Sequence, residues 1–262
     1  MHHLPIGVFD SGLGGLTVAK AILNLLPHES IFYFGDLAHL PYGNKSAKSV
    51  KKIALQCVDF LVSQKIKLLV VACNTATSIA LDDILKVVNI PVIGVIKPGA
   101  QKVVKTSQNK KVGVIGTTRT ITSNAYQKAI LELCPDFTIY QQATPLLVPF
   151  IEEDWIYHPA FDLVLQEYLS VFDGQDIDTL VLGCTHYPLI QENIKKLKPH
   201  LTIVDSAYAT AIKVQEVLHS LNLLNKQKSS LSRFFVSDIT KTFTQLSEKI
   251  MGQPLNIELV SL

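Results

Sequence analysis

The sequence predicts an α/β fold built from two similar domains with mainly parallel sheets, related by a pseudo-two-fold axis. Two observations carry that prediction. Short apolar runs alternate with amphipathic helical patterns along most of the 262 residues, and the runs then recur as a second, matching set. A strand, a covering helix and a second strand form the right-handed βαβ unit, whose strands are buried on both faces and read as unbroken hydrophobic runs.

Taken in order, IGVFD (6–10), SIFYFGD (30–36), KLLVVACN (67–74) and IPVIGVI (90–96) predict buried strands of the first set. KVGVIGT (111–117), FTIYQQ (137–142), DTLVLGCT (178–185) and LTIVDSA (201–207) predict the second. Between them, LTVAKAILNLL (16–26) and SAKSVKKIALQCVDFLVSQ (46–64) keep helical spacing. The copies rhyme in detail. IGVFDSGLG (6–14) resembles VGVIGTTRT (112–120) and sets Asp10 opposite Gly116, while VVACNTAT (70–77) resembles VLGCTHYP (181–188) and sets Cys73 opposite Cys184. IPVIGVI likewise resembles LTIVDSA. Beyond the second copy, AYATAIKVQEVLHSL (207–221) reads as a helix and NKQKSSLS (225–232) as an exposed loop. RFFVSD (233–238) and LNIELVSL (255–262) read as strands around another helix. The expected division is a first domain of residues 1–97 completed by 208–262, and a second of 98–207. Ligands of open α/β sheets bind at the carboxyl ends of the strands, so the active site is expected in the cleft between the domains.

Composition narrows the class. The 24 basic and 22 acidic residues leave a net charge of +2 with no block of like charge, which gives nucleic acid no footprint. Arg119 and Arg233 are the only arginines, so an anionic ligand must rely on backbone amides and hydroxyls. The segment MHHLPIGVFDSGLGG lacks the basic and long apolar stretches of a signal peptide, and no run approaches the ~18 residues of a membrane span. Four cysteines do not make a disulfide scaffold. The expectation is a cytoplasmic protein with reduced thiols and no membrane contact.

Two of those thiols stand apart. Cys73 and Cys184 each follow an apolar strand at its carboxyl end and precede polar residues, Asn74-Thr75 and Thr185-His186, then a helical start. Helix N-terminal amides there are expected to lower the thiol pKa below its usual ~8.5. Buried cysteines often only pack, the reading adopted for Cys57, which keeps helical spacing with Ile53 and Phe60, and for Cys134, which ends a helix before Pro135. Matched positions in a duplicated turn argue against packing alone for Cys73 and Cys184. Two facing thiols suit inversion of a stereocentre, in which a thiolate removes a proton from one face and a thiol returns one to the other. Positioned acid–base groups supply only about 10²–10⁴-fold, so a water-poor cleft with donors aimed at the developing charge must supply the rest.

Other motifs surround the pair. Asp10, in VFDSGLGG, is placed to orient a substrate ammonium or assist proton transfer near Cys73, or else to cap the next helix. Gly12, Gly14 and Gly15 fit neither G-x-G-x-x-G nor a P-loop, which argues against phosphate. LAHLPYGNKS (37–46) reads as a loop whose Pro41, Tyr42 and Gly43 either close over a small ligand or form a plain turn. His186 lies two residues from Cys184, close enough to tune it or relay a proton; a second ligand pair with zinc spacing is missing, so no metal is expected. Glu152 is a further candidate, or a solvated carboxylate.

Together DSGLGG (10–15), PYG (41–43), ACNTAT (72–77), GCTHYP (183–188) and the VPFIEE segment resemble the bacterial glutamate racemases, in order and over nearly the whole chain. The resemblance implies a two-domain, cofactor-independent enzyme with Cys73 and Cys184 as catalytic bases, the former serving the D and the latter the L enantiomer. It implies that Asp10 and His186 assist. It implies substrate contacts at Asp10, Ser11, Tyr42, Gly43, Asn74, Thr75, Thr185 and His186, with Glu152 supporting; Pro41 and Thr117 complete the expected substrate site. It further implies glutamate as substrate, D-glutamate supply for peptidoglycan in the cytoplasm, and a homodimer. Three alternatives stand beside it: a racemase of aspartate, a cysteine hydrolase or transferase using Cys184 with His186, and a non-catalytic binding module.

Overall fold

The computed structural model describes residues 2–227 and 231–262; part of the expected loop at 225–232 lies outside the described residues. The first half runs β1 (Ile6–Asp10), α1 (Gly15–Leu25), β2 (Ile31–Gly35), α2 (Ala47–Ser63), β3 (Leu68–Val71), α3 (Asn74–Val87) and β4 (Val92–Gly94). The segment expected as a loop, 37–46, carries two 3-10 turns at Leu37–His39 and Tyr42–Asn44. The second half runs α4 (Ile96–Thr106), β5 (Lys111–Gly116), α5 (Thr118–Thr122), α6 (Ala125–Leu133) and β6 (Thr138–Ala143). It continues through α7 (Leu147–Glu152), α8 (Pro159–Ser170), β7 (Thr179–Gly183), α9 (Gln191–Leu197) and β8 (Thr202–Asp205). The tail adds α10 (Ser206–Ser220), β9 (Arg233–Val236), α11 (Lys241–Met251) and β10 (Ile257–Leu259).

Every apolar run read as a strand is one, and every pairing is parallel. The sheets have orders β10-β9-β2-β1-β3-β4 and β6-β5-β7-β8. Without the two tail strands, the first order is β2-β1-β3-β4, the same winding as the second, as the rhyming sequences require. The run at 90–96 was expected to be strand throughout but pairs only over Val92–Gly94; Val95 already has helical angles, and α4 begins at Ile96. Each sheet has an apolar layer on both faces. Ile6, Val8, Leu68 and Val70 pack under α1 and α10, while Phe9, Phe34, Leu69 and Val71 pack under α2 and α3. In the second sheet, Leu180 and Leu182 face α8 and α9, and Val112, Val114 and Val181 face α4 and α6. Alternate residues of a strand point to opposite faces, which is why the central strands are apolar through their middles, as in Val112–Ile115 and Leu180–Leu182. Helix α10 packs on both α1 and α4 and so joins the halves. No helix among the described residues is long and apolar enough to cross a membrane.

The tail is pinned by a buried ion pair. Lys67 Nζ lies 2.6 Å from Glu29 and donates to the carbonyls of His2 (2.6 Å) and Leu223 (2.8 Å). Glu29 also accepts from the backbone and side-chain nitrogens of Asn225, each at 2.9 Å. Both charged side chains are only 1% exposed. Removing one partner of such a pair strands the other in low dielectric, so Lys67→Met is expected to cost about 3–5 kcal/mol in urea unfolding. A change under about 1 kcal/mol would show that Glu29 is rehydrated at little cost.

Candidate active site

The carboxyl ends of β1, β3, β5 and β7 converge on one cleft, which encloses about 520 Å³ with its open mouth included. Its walls bring together Ser11, Pro41, Tyr42, Gly43, Cys73, Asn74, Thr75, Thr117, Cys184, Thr185 and His186, all expected from sequence. Cys73 comes from the β3–α3 turn and Cys184 from the turn after β7, one thiol from each half. Both are buried and reduced.

Local structure aims each thiol. Cys73 is the N-cap of α3: its backbone is extended, and its sulfur accepts the Ala76 amide at 3.4 Å. Ser11 Oγ lies 3.3 Å from the same sulfur. The helix amides were expected to lower this thiol's pKa, and the structure reverses the sign. Burial first, then the Asp10 carboxylate, push Cys73 up to about 12, against the smaller pull of the Ser11 and Ala76 hydrogen bonds. Burial and Asp10 therefore hold Cys73 as a thiol, a proton donor. Across the cleft, Cys184 Sγ lies 3.7 Å from His186 Nδ1, and His186 Nε2 lies 2.8 Å from Glu152 Oε1. Burial favours a neutral ring, but the bonds to Cys184 and Glu152 outweigh it and hold His186 well above the usual histidine range. A positive charge thus stands beside the second sulfur. The two walls are unlike: a protonated thiol beside the Asp10 carboxylate, and a sulfur beside an imidazolium.

Asp10 and Glu152 lie outside the cleft lining. Asp10 is fully buried beneath it. Its Oδ2 accepts the Gly12 amide at 2.9 Å and its Oδ1 accepts Thr185 Oγ1 at 3.3 Å, so it braces the first turn against the second. Burial pushes its carboxyl up, opposed by His186 and by the Gly12 and Gly15 amides. The capping alternative is met in part, since α1 has Gly14 as its N-cap with no side-chain bond, while Asp10 takes amides of the same turn. Glu152, which nothing local in the sequence orients, is directed by His186 alone. Tyr42 anchors its loop by donating to the buried Asp36 carboxylate at 2.6 Å. Cys57 packs in the core and Cys134 donates to Asp136.

The sequence reading missed one wall: Thr118, Thr144, Pro145, Val148 and Pro149. The repeat held the signal, since residues after β6 occupy the place that 37–46 occupies after β2. It also missed how tightly the turns meet. A Cβ on Gly14 would lie 2.3 Å from Thr185 Oγ1 and 2.6 Å from His186 Nδ1. Gly14 has ordinary helical angles, so Gly14→Ala acts by displacement and not by backbone strain. An ångström-scale shift of His186 is expected to lower kcat/KM by about 10²-fold. Unchanged kcat/KM would show that the turns separate without consequence.

Among the described residues no group of three or more His, Cys, Asp or Glu side chains is arranged to hold a metal ion. Fold and cleft define a class: duplicated parallel α/β proteins whose ligand lies between matched βα turns. Comparison with known proteins narrows it. The chain matches the Asp/Glu/hydantoin racemase family over residues 6–214. A glutamate racemase of Chlorobaculum tepidum is 47% identical over 262 residues, covering 98% of this chain and 96% of that protein. The crystal structure of a glutamate racemase isoform from Bacillus anthracis superposes with a TM-score of 0.96 at 40% identity, covering 100% of this chain and 99% of that one. A Francisella tularensis glutamate racemase, solved in complex with D-glutamate, gives a TM-score of 0.94 at 40% identity, covering 100% and 98%. The chain belongs to the Asp/Glu/hydantoin racemase family and is an amino-acid racemase.

Proposed function

We propose that this racemase interconverts L- and D-glutamate by two-base proton transfer between Cys73 and Cys184, with no cofactor. The observation that supports it best is that two thiols from rhyming turns line a single cleft. One sulfur, as thiolate, removes the α-proton; the other, as thiol, delivers a proton to the opposite face. The thiol and thiolate then stand exchanged, and proton exchange with solvent resets them. Asn74, Thr75, Thr117 and Thr185 supply neutral donors for the substrate carboxylates, in keeping with a cleft without arginine. Tyr42 and Gly43 close the substrate's side, Asp10 braces the turns, and Glu152 keeps His186 charged beside Cys184.

In this reading residues 1–97 with 208–262 and residues 98–207 are the two domains that hold the substrate between them. The enzyme works in the cytoplasm as a homodimer and supplies D-glutamate for peptidoglycan. The relatives named above support the substrate assignment. The test is inversion of each enantiomer of glutamate and of aspartate, followed by chiral chromatography with chelator present. Inversion of glutamate at a kcat/KM at least about tenfold above that for aspartate is expected, the margin one methylene in a fitted site provides. Preference for aspartate would overturn the substrate assignment, and activity abolished by chelator would overturn the cofactor-free chemistry.

A further inference from the structure

Asn74 presents an incomplete hydrogen-bond set. It is buried and lines the cleft beside Cys73, and its Nδ2 has no partner in the protein. Its Oδ1 accepts the Tyr126 hydroxyl at 2.8 Å. Tyr126 belongs to α6 of the second half, is fully buried, and is absent from the cleft lining. Its ring packs closely against two glycines: a Cβ on Gly99 would lie 3.2 Å from Cε1, and one on Gly183 would lie 3.3 Å from Cε2, each pressing on the ring. Gly183 immediately precedes Cys184. Ser206, at the start of α10, stands beside the Tyr126 hydroxyl at the same glycine, Gly99.

From this we infer that Tyr126 is a positioning residue for the reaction, fixing the Asn74 amide so that its N–H groups serve the substrate carboxylate beside Cys73. An amide free to flip would present its oxygen half of the time, and an oxygen facing a carboxylate repels it. The Tyr126 hydroxyl holds the amide oxygen on its own side by donating to Oδ1; a flipped amide would make that hydroxyl turn and accept from Nδ2 while Oδ1 faced the carboxylate. A buried Nδ2 without a partner is costly unless a ligand completes it. The same ring rests on the backbone that leads into Cys184, so one side chain references both cysteine turns to each other.

The inference rests on the glutamate reading of the cleft, and the test separates the two. Kinetics in both directions and D-glutamate binding by calorimetry are measured for the wild type, Tyr126→Phe, Asn74→Ala and the double variant. Tyr126→Phe keeps the ring, and unfolding curves confirm that it folds. Its KM and D-glutamate Kd are expected to rise about tenfold, one lost hydrogen bond to a charged group, with kcat within about threefold of wild type. The double variant should bind no worse than Asn74→Ala, since the hydroxyl acts only through that amide. Ser206→Ala leaves the Tyr126–Asn74 bond in place and should change binding less than Tyr126→Phe does. Unchanged KM and Kd in Tyr126→Phe, or effects of the two substitutions that multiply, would overturn the inference alone. A wild type that neither binds nor inverts glutamate would overturn the reading beneath it, and the inference with it.

Discussion

Cys184→Ala is expected to abolish inversion, lowering it by at least about 10³-fold, while D-glutamate still exchanges its α-hydrogen with solvent. The remaining thiol explains the difference. Cys73 can still take the proton from one face and return one to that same face, giving exchange with retention. Cys73→Ala should do the mirror image, exchanging L-glutamate and leaving D-glutamate untouched. Enantiomers have equal free energies, so kcat/KM for inversion must fall equally in both directions in either variant. Only exchange in D₂O, followed by proton NMR, separates the two thiols. Both cysteines are small and buried, so alanine removes the sulfur with little repacking. Exchange of both enantiomers by one single-cysteine variant would place a second base on the wall assumed to be empty.

His186→Ala carries the second largest effect. It removes the charge 3.7 Å from Cys184 Sγ and leaves Glu152 without its partner, and a kcat lower by about 10²-fold is expected. Glu152→Gln is the finer probe, because an amide keeps a hydrogen bond but loses the charge. His186 is held above its usual ~6.5 in part by Glu152. A raised histidine pKa favours the protonated ring. That stabilisation is complete below ~6.5 and fades as pH climbs through the folded-state value. Without the Glu152 charge the fade comes earlier, so the descending limb of the kcat profile should move to lower pH. A limb that stays in place would assign it to another group.

Much of this is legible in the sequence. The central strands announced themselves because parallel strands buried on both faces read as near-continuous apolar runs, and the edge strands β6 and β10, which carry Gln141, Gln142 and Glu258, by their place in the alternation with helices. The cleft followed from duplication, since Cys73 and Cys184 rhyme and matched strands end at one crevice. What stayed hidden depends on distance and depth. The direction of the Cys73 shift turns on how far burial and Asp10 outweigh two hydrogen bonds, and no local pattern encodes that balance. Glu152 finds His186 across 34 residues of chain, and Tyr126 reaches Asn74 across 52. The wall formed by Thr144, Val148 and Pro149 was missed for a different reason: its counterpart after β2 was read, and the repeat was not carried one step further.

The most direct test of two-base inversion needs only the wild type. L-glutamate is incubated in D₂O, and early in the reaction the α-deuterium content of the remaining L and the new D enantiomer is read by mass spectrometry after chiral separation. With separate thiols on opposite faces, the new D-glutamate carries one solvent deuterium while the remaining L-glutamate keeps its hydrogen. Deuterium entering both enantiomers equally from the start would mean a single base serving both faces, and would contradict the assignment of the reaction to Cys73 and Cys184 as a pair.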